Sequence, residues 1–295
     1  MLNPTQPISR ARLSIPNFVY AFIQFIGQTS ILIALGALGI TCASAVLLGK
    51  QPTWEMALLP FLCTYCVYNF DRLSDKSGAD QQSTPQRTAA IKRCQRWMKI
   101  SVIAAFLSMI GLALSGGLLT LLITLAFPLT GMLYVLPILP FHQIKRLKDI
   151  PLLKSFYVPA CWCLLVVLAL HLGQIDWFQP ATLFIFAFVY LRIFLGASIG
   201  DIRDLDADRA VGVQTLTGFL GLARSHRMVT ALHLFSPILV ITAVWAAWVP
   251  VTALGLIAPC LFGFWVYKLF CAQPENREFL GYFYDIEYIS YFLLA

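Results

Sequence analysis

Two stretches of this chain space carboxylates in the way a metal site does. Tyr68-Asn69-Phe70-Asp71-Arg72-Leu73-Ser74-Asp75 ends one very apolar run, and Asp201-Ile202-Arg203-Asp204-Leu205-Asp206-Ala207-Asp208-Arg209-Ala210-Val211-Gly212 ends another. Each contains Asp-x-x-x-Asp, which sets two carboxylates one helical turn apart on the same face. Six of the 14 acidic residues lie in these clusters, a concentration that an apolar chain avoids unless it has a use for it. At about 100° per residue, Asp204 and Asp208 fall roughly 300° and 340° from Asp201, an arc of about 60°, while Asp206 at roughly 140° faces elsewhere. Asp71 and Asp75 share a face; Asn69 lies about 160° from Asp71 in a regular helix.

Carboxylates one turn apart repel and ask for a counter-charge. Hard oxygen ligands suit Mg²⁺, which keeps several waters and bridges to substrate phosphates. The candidate metal ligands and catalytic residues are therefore Asp71, Asp75, Asp201, Asp204 and Asp208. Arg72, Arg87, Lys145, Arg146, Lys148, Lys154 and Arg192 could contact a diphosphate directly. Arg192, about two turns before Asp201, reads either as a buried phosphate ligand or as a structural ion-pair partner. Carboxylate-bound Mg²⁺, phosphate-binding cations and a greasy cavity together suit a prenyl diphosphate, its head on the metal and its tail among membrane helices. Two other readings stay open: a pair of solvated helix ends, and a transporter, although transporters place ionisable groups near the bilayer midplane.

The elements that must position these residues are membrane helices. The 295 residues are 59% hydrophobic and 12% charged, against about 25% charged in soluble domains. The apolar runs are continuous rather than alternating, which selects helices over a closed barrel. Nine spans are expected, near 18–40, 54–74, 98–115, 118–140, 155–173, 181–200, 228–248, 250–271 and 279–295. One all-α domain accommodates them, with pseudo-halves at 18–140 and 155–271 and a last helix at 279–295; the two clusters end the second and sixth spans. The loop at 76–97 holds a short helix from about Pro85 to Gln95, with proline suited to the first turn.

Charge fixes the expected orientation. Loops on one side carry Lys76, Arg87, Lys92, Arg93, Arg96, Lys145, Arg146, Lys148, Lys154, Arg203, Arg209, Arg224 and Arg227, whereas the other side carries only Lys50. The positive-inside rule puts the N-terminus and both acidic clusters in the cytoplasm. The net charge of +7 thus reflects topology, and no basic region interleaved with aromatics points to nucleic acid. Cys63-x-x-Cys66 lies within a span with no other ligands nearby and reads as small core residues. The four histidines have no ligand spacing.

The residues from Asp201 to Leu216, with Gly212 and Thr215-Leu216 trailing the aspartates, resemble the second aspartate-rich motif of the UbiA superfamily of intramembrane prenyltransferases. Asp71-Arg72-Leu73-Ser74-Asp75 resembles the end of that family's first motif, and Tyr134 to Lys154 its basic loop between helices four and five. The resemblance implies nine helices around a central cavity, capped by the loops at 76–97 and 209–227. It implies Mg²⁺ held by both motifs through the diphosphate, ionisation of the allylic C–O bond, and capture of the cation by a lipophilic, often aromatic, acceptor. Tyr68, Asn69 and Tyr134 join the substrate-binding set. The family's leading Asn-Asp falls on Val67 and Tyr68 here. That departure keeps a second outcome open: a membrane-bound terpene cyclase, in which the substrate's own double bonds quench the cation.

Overall fold

Backbone polar groups in a bilayer must be satisfied within the protein, and helices do so residue by residue. The computed structural model describes residues 16–74, 79–137, 140 and 146–294, and its regular structure there is helical. The long elements are α1 (Asn17–Gln28), α2 (Ile31–Leu47), α3 (Trp54–Ser74), α5 (Pro85–Ser115), α6 (Leu118–Val135), α7 (Leu153–Leu172), α8 (Pro180–Arg203), α11 (Leu222–Trp245), α12 (Ile257–Ala272) and α13 (Arg277–Ser290). Short helices α4 (Ala79–Ser83), α9 (Leu205–Ala210) and α10 (Leu216–Leu220) lie between them. Among the described residues six helices are long and apolar enough to cross a membrane, or seven if the bent pair α1–α2 is one span. The nine expected spans map onto these elements; α3 ends in charge and α13 is short.

Two boundaries differ from expectation. The first span is broken: α1 and α2 meet at 79°, with Ser30 at the corner in a left-handed conformation (φ 61°). The short helix expected at 85–95 is not separate. It runs into the third span as the 31-residue α5, with a kink at Cys94.

Neighbours follow chain order: α2 packs on α3, α3 on α5 and α6, α6 on α7, α7 on α8, α8 on α11, α11 on α12 and α12 on α13, which closes on α2. The innermost helix, α2, also touches α7. Its small residues permit this approach; Gly36 lies against Tyr288, where an added Cβ would come 2.7 Å from the Tyr288 Cβ. At one end of the bundle α4 packs on α9, while α10 packs on α8 and α11.

Candidate active site

The last turn of α3 sends its side chains in two directions. Tyr68, Asp71 and Arg72 line a central chamber of about 260 Å³. Asn69 is fully buried on the opposite side. It accepts a hydrogen bond from Ser30 Oγ (3.0 Å) and donates to the carbonyls of Thr29 (3.2 Å) and Tyr65 (2.9 Å). Asn69 therefore mends the backbone at the α1–α2 corner, and the expectation that it binds substrate is corrected. Arg72 serves both sides. It donates to the carbonyls of Gln28 (3.0 Å) and Gly27 (3.3 Å), which suits the negative end of α1, and it lines the chamber. Asp75 and Lys145 lie outside the described residues.

The second cluster is not one regular helix. Its backbone breaks at Asp204 (φ −90°, ψ 3°), which ends α8 and starts α9. Asp201 and Asp208 still converge, because Lys154 at the start of α7 lies 3.3 Å from Asp201 and 2.6 Å from Asp208. Ser155 Oγ donates to Asp201 (2.7 Å) and accepts from the Leu216 N–H (3.0 Å), tying the segment after α9 to α7. Arg203 clamps Asp204 with contacts of 2.7 and 2.9 Å. Burial alone would raise the Asp204 pKa, but Arg203, Lys154 and Arg87 outweigh it and hold the carboxyl at about 2. Asp206 is fully exposed, 3.9 Å from Arg209.

A polar mouth of about 210 Å³ joins these groups, lined by Tyr68, Asp71, Arg72, Arg87, Tyr134, Arg146, Lys148, Lys154, Arg203, Asp204 and Asp208. Most of them also line the chamber, so mouth and chamber are continuous. Lys148 stands 3.8 Å from Asp71, and Arg146 pairs with Asp149 at 2.7 Å. Arg87, at the start of α5, is anchored by its N–H to Glu278 (2.8 Å).

Arg192 is not at the mouth. Its side chain is fully buried against an equally buried Glu287 of α13 and donates to Glu287 Oε1 (2.6 Å) and Ser236 Oγ (2.9 Å). A Cβ at Gly263 of α12 would overlap the Glu287 carboxylate. The structural ion-pair reading of Arg192 therefore holds, and its assignment as a phosphate ligand is corrected: the guanidinium is already occupied on the far side of α8.

Below the mouth the chamber becomes aromatic. Trp162 donates through its indole N–H to the Tyr68 hydroxyl (3.1 Å), and Tyr282, Tyr284 and Tyr288 also line the chamber, with the Tyr288 ring 6.2 Å from that of Trp162. An apolar slot of about 100 Å³ branches off between α3, α6 and α7 beside Tyr134 and Tyr157, whose rings stack 5.4 Å apart. Val67 packs on Gly131 of α6. Arg203, Ser155, Asp285 and the α13 tyrosines belong to this region and were not anticipated above. Arg203 was visible inside the motif. Asp285 and Glu287 had a signal as well, because ionisable residues in an apolar span ask for a reason.

These features define a polytopic helical membrane protein with a charged mouth at one end of the bundle opening into an aromatic interior. The sequence model of the UbiA prenyltransferase family matches residues 37–284, and the chain belongs to that family. No curated protein matches it. Its fold is similar to that of the apo UbiA homologue from Aeropyrum pernix K1, with a TM-score of 0.60, 16% identity, and 88% of this chain and 97% of that one covered. It is also similar to a UbiA homologue from Archaeoglobus fulgidus bound to GPP and Mg²⁺ (TM-score 0.57, 16% identity, 90% and 99% covered). A third similar structure is of digeranylgeranylglyceryl phosphate synthase (TM-score 0.51, 16% identity, 94% and 97% covered).

Proposed function

We propose that this protein is a Mg²⁺-dependent intramembrane prenyltransferase that ionises a prenyl diphosphate and passes the prenyl group to a lipophilic, aromatic acceptor. The observation that carries the reading is one continuous space. Its mouth gathers Asp71, Asp204 and Asp208 with Arg72, Arg87, Lys148, Lys154 and Arg203, and its interior is lined by aromatic rings. The Archaeoglobus fulgidus homologue described with GPP and Mg²⁺ supports the same ligand here.

The donor set fits the metal. Among the described residues no three His, Cys, Asp or Glu side chains form a ready-made cage. Hard carboxylate oxygens on two walls, needing phosphate oxygens and water to complete a shell, are what Mg²⁺ accepts. Asp71, Asp75, Asp201, Asp204 and Asp208 would hold it, and when bound it supplies neutralisation of charge on the leaving diphosphate. Arg72, Arg87, Lys148 and Lys154 fix the head through charge-assisted hydrogen bonds. Tyr68, Trp162 and Tyr134 offer ring faces to the allylic carbon as positive charge develops. By the distribution of Lys and Arg, the mouth belongs on the cytoplasmic side.

One observation favours a second reading, a membrane-bound terpene cyclase. Val67 and Tyr68 replace the family's Asn-Asp, and Tyr68 with Trp162 walls the chamber with rings. Incubation with Mg²⁺ and geranyl, farnesyl and geranylgeranyl diphosphates separates the two. Turnover only with a phenolic acceptor supports the transferase. Cyclic hydrocarbon or terpene alcohol formed without one supports the cyclase.

A further inference from the structure

Asp285 is a carboxylate that the two aspartate clusters leave unexplained. It sits on α13 and lines the chamber together with Asp71, Asp201 and Asp204. An ionisable side chain in a membrane helix needs a partner or a task. Glu287, two residues on, has its partners in Arg192 and Tyr291. Among the described residues, no hydrogen bond or ion pair occupies Asp285; the cations that bear on its charge are Arg72, Arg203 and Arg87, which line the same chamber.

Its depth is set by its helix. Seven residues earlier, Glu278 anchors the Arg87 N–H at the mouth, about 10 Å away along the axis. Three residues later, Tyr288 donates to the Arg192 carbonyl at 3.0 Å. Asp285 thus lies one layer below the head-group residues, on the wall that carries Tyr284 and Tyr288. Asp71, Asp204 and Asp208 line the mouth, and Asp285 does not, which sets it apart from the carboxylates assigned to the head group. It lines the aromatic chamber below the mouth, the space that the proposed function gives to the prenyl chain.

We propose that Asp285 is the general base of the reaction; this rests on the proposed function. The allylic C–O bond breaks and its electron pair leaves with the diphosphate. A π bond, from an acceptor ring or from the chain itself, attacks the allylic carbon and forms the new C–C bond. The C–H bond at the attacked position then gives its electron pair back to the π system, and its proton passes to an Asp285 oxygen. The assignment holds for transfer to an acceptor ring and for cyclisation to a hydrocarbon, since both end in loss of a C–H proton.

The test compares wild type, Asp285→Asn and Asp285→Glu in nanodiscs with Mg²⁺ and geranyl, farnesyl and geranylgeranyl diphosphates, with and without a phenolic acceptor. Product and pyrophosphate are measured, along with affinity for unreactive geranyl thiolodiphosphate. Asp285→Asn is expected to lower product formation by about 100-fold or more, divert residual turnover to prenyl alcohol, and bind the analogue within about threefold of wild type. Asp285→Glu is expected to restore part of the rate. Product formation by Asp285→Asn within about threefold of wild type would overturn the inference while leaving the site reading intact. Parallel loss of analogue affinity would overturn it as well, because the residue would then serve the head group or the fold. A wild type that releases no pyrophosphate from any of the three overturns the reading of the site itself.

Discussion

The Lys154 ammonium lies 2.6 Å from the Asp208 carboxylate, and from the same position it reaches Asp201 at 3.3 Å. One cation from α7 therefore holds together two largely buried acids from α8 and α9. In the proposed function, metal and diphosphate take over that task.

Lys154→Met tests this arrangement. Without the ammonium, Asp201 and Asp208 face each other uncompensated, and stability is expected to fall by about 2–4 kcal/mol. Mg²⁺ alone should then raise the melting temperature of the variant far more than that of wild type. An equal response in both proteins would contradict the shared role of cation and metal.

The aspartates should separate by facing. Asp71→Asn and Asp204→Asn are each expected to lower turnover by about 100-fold or more, through loss of charge at the developing diphosphate. Asp206→Asn should be silent, since its side chain is fully exposed. Comparable losses in Asp206→Asn and Asp204→Asn, measured as pyrophosphate release, would refute the assignment.

Breaking the Arg192–Glu287 pair should harm the fold rather than the head-group site. Arg192→Met alone leaves a buried carboxylate unpaired, which costs about 3–5 kcal/mol. Arg192→Met combined with Glu287→Met should recover much of that loss. Thermal melting reads the stability, and the affinity for geranyl thiolodiphosphate in the double variant should stay near that of wild type. A large drop in affinity without a drop in melting temperature would return Arg192 to the list of phosphate ligands.

Gly200 offers the opposite separation. It lines the chamber, and a Cβ added there meets nothing within 4 Å. Gly200→Leu should leave the fold as stable or more so, since leucine is favoured over glycine in a helix by about 0.8 kcal/mol. It should weaken binding of the analogue at least tenfold, because the side chain fills substrate space (roughly 1.4 kcal/mol). Unchanged affinity would mean that the chamber is not where the substrate lies.

What could be read in advance depended on how local the signal was. Helices were legible because long apolar runs permit little else in a membrane. The grouping of Asp201 with Asp208 was legible because both sit within a few residues, and it survives the backbone break at Asp204. The role of Asn69 was not legible. Its partners are Ser30 and the Thr29 carbonyl, and they matter only because the first span breaks there without a proline or glycine at the corner. Arg192 was ambiguous for the same reason. Its partner Glu287 lies 95 residues away, and helical periodicity says nothing about which distant helix faces which. Asp285 belongs to the last helix, whose closure onto α2 is a property of the assembled bundle.

The central claim is a Mg²⁺-dependent prenyl diphosphate site at the mouth, and binding tests it most directly. The measurement is the affinity of geranyl thiolodiphosphate for the protein in nanodiscs, with Mg²⁺ and with EDTA, for wild type and Asp204→Asn. Tight binding by wild type with Mg²⁺, lost in EDTA and weakened at least tenfold in Asp204→Asn (roughly 1.4 kcal/mol), is the predicted result. Binding that ignores both the metal and the substitution, or no binding at all, would contradict it.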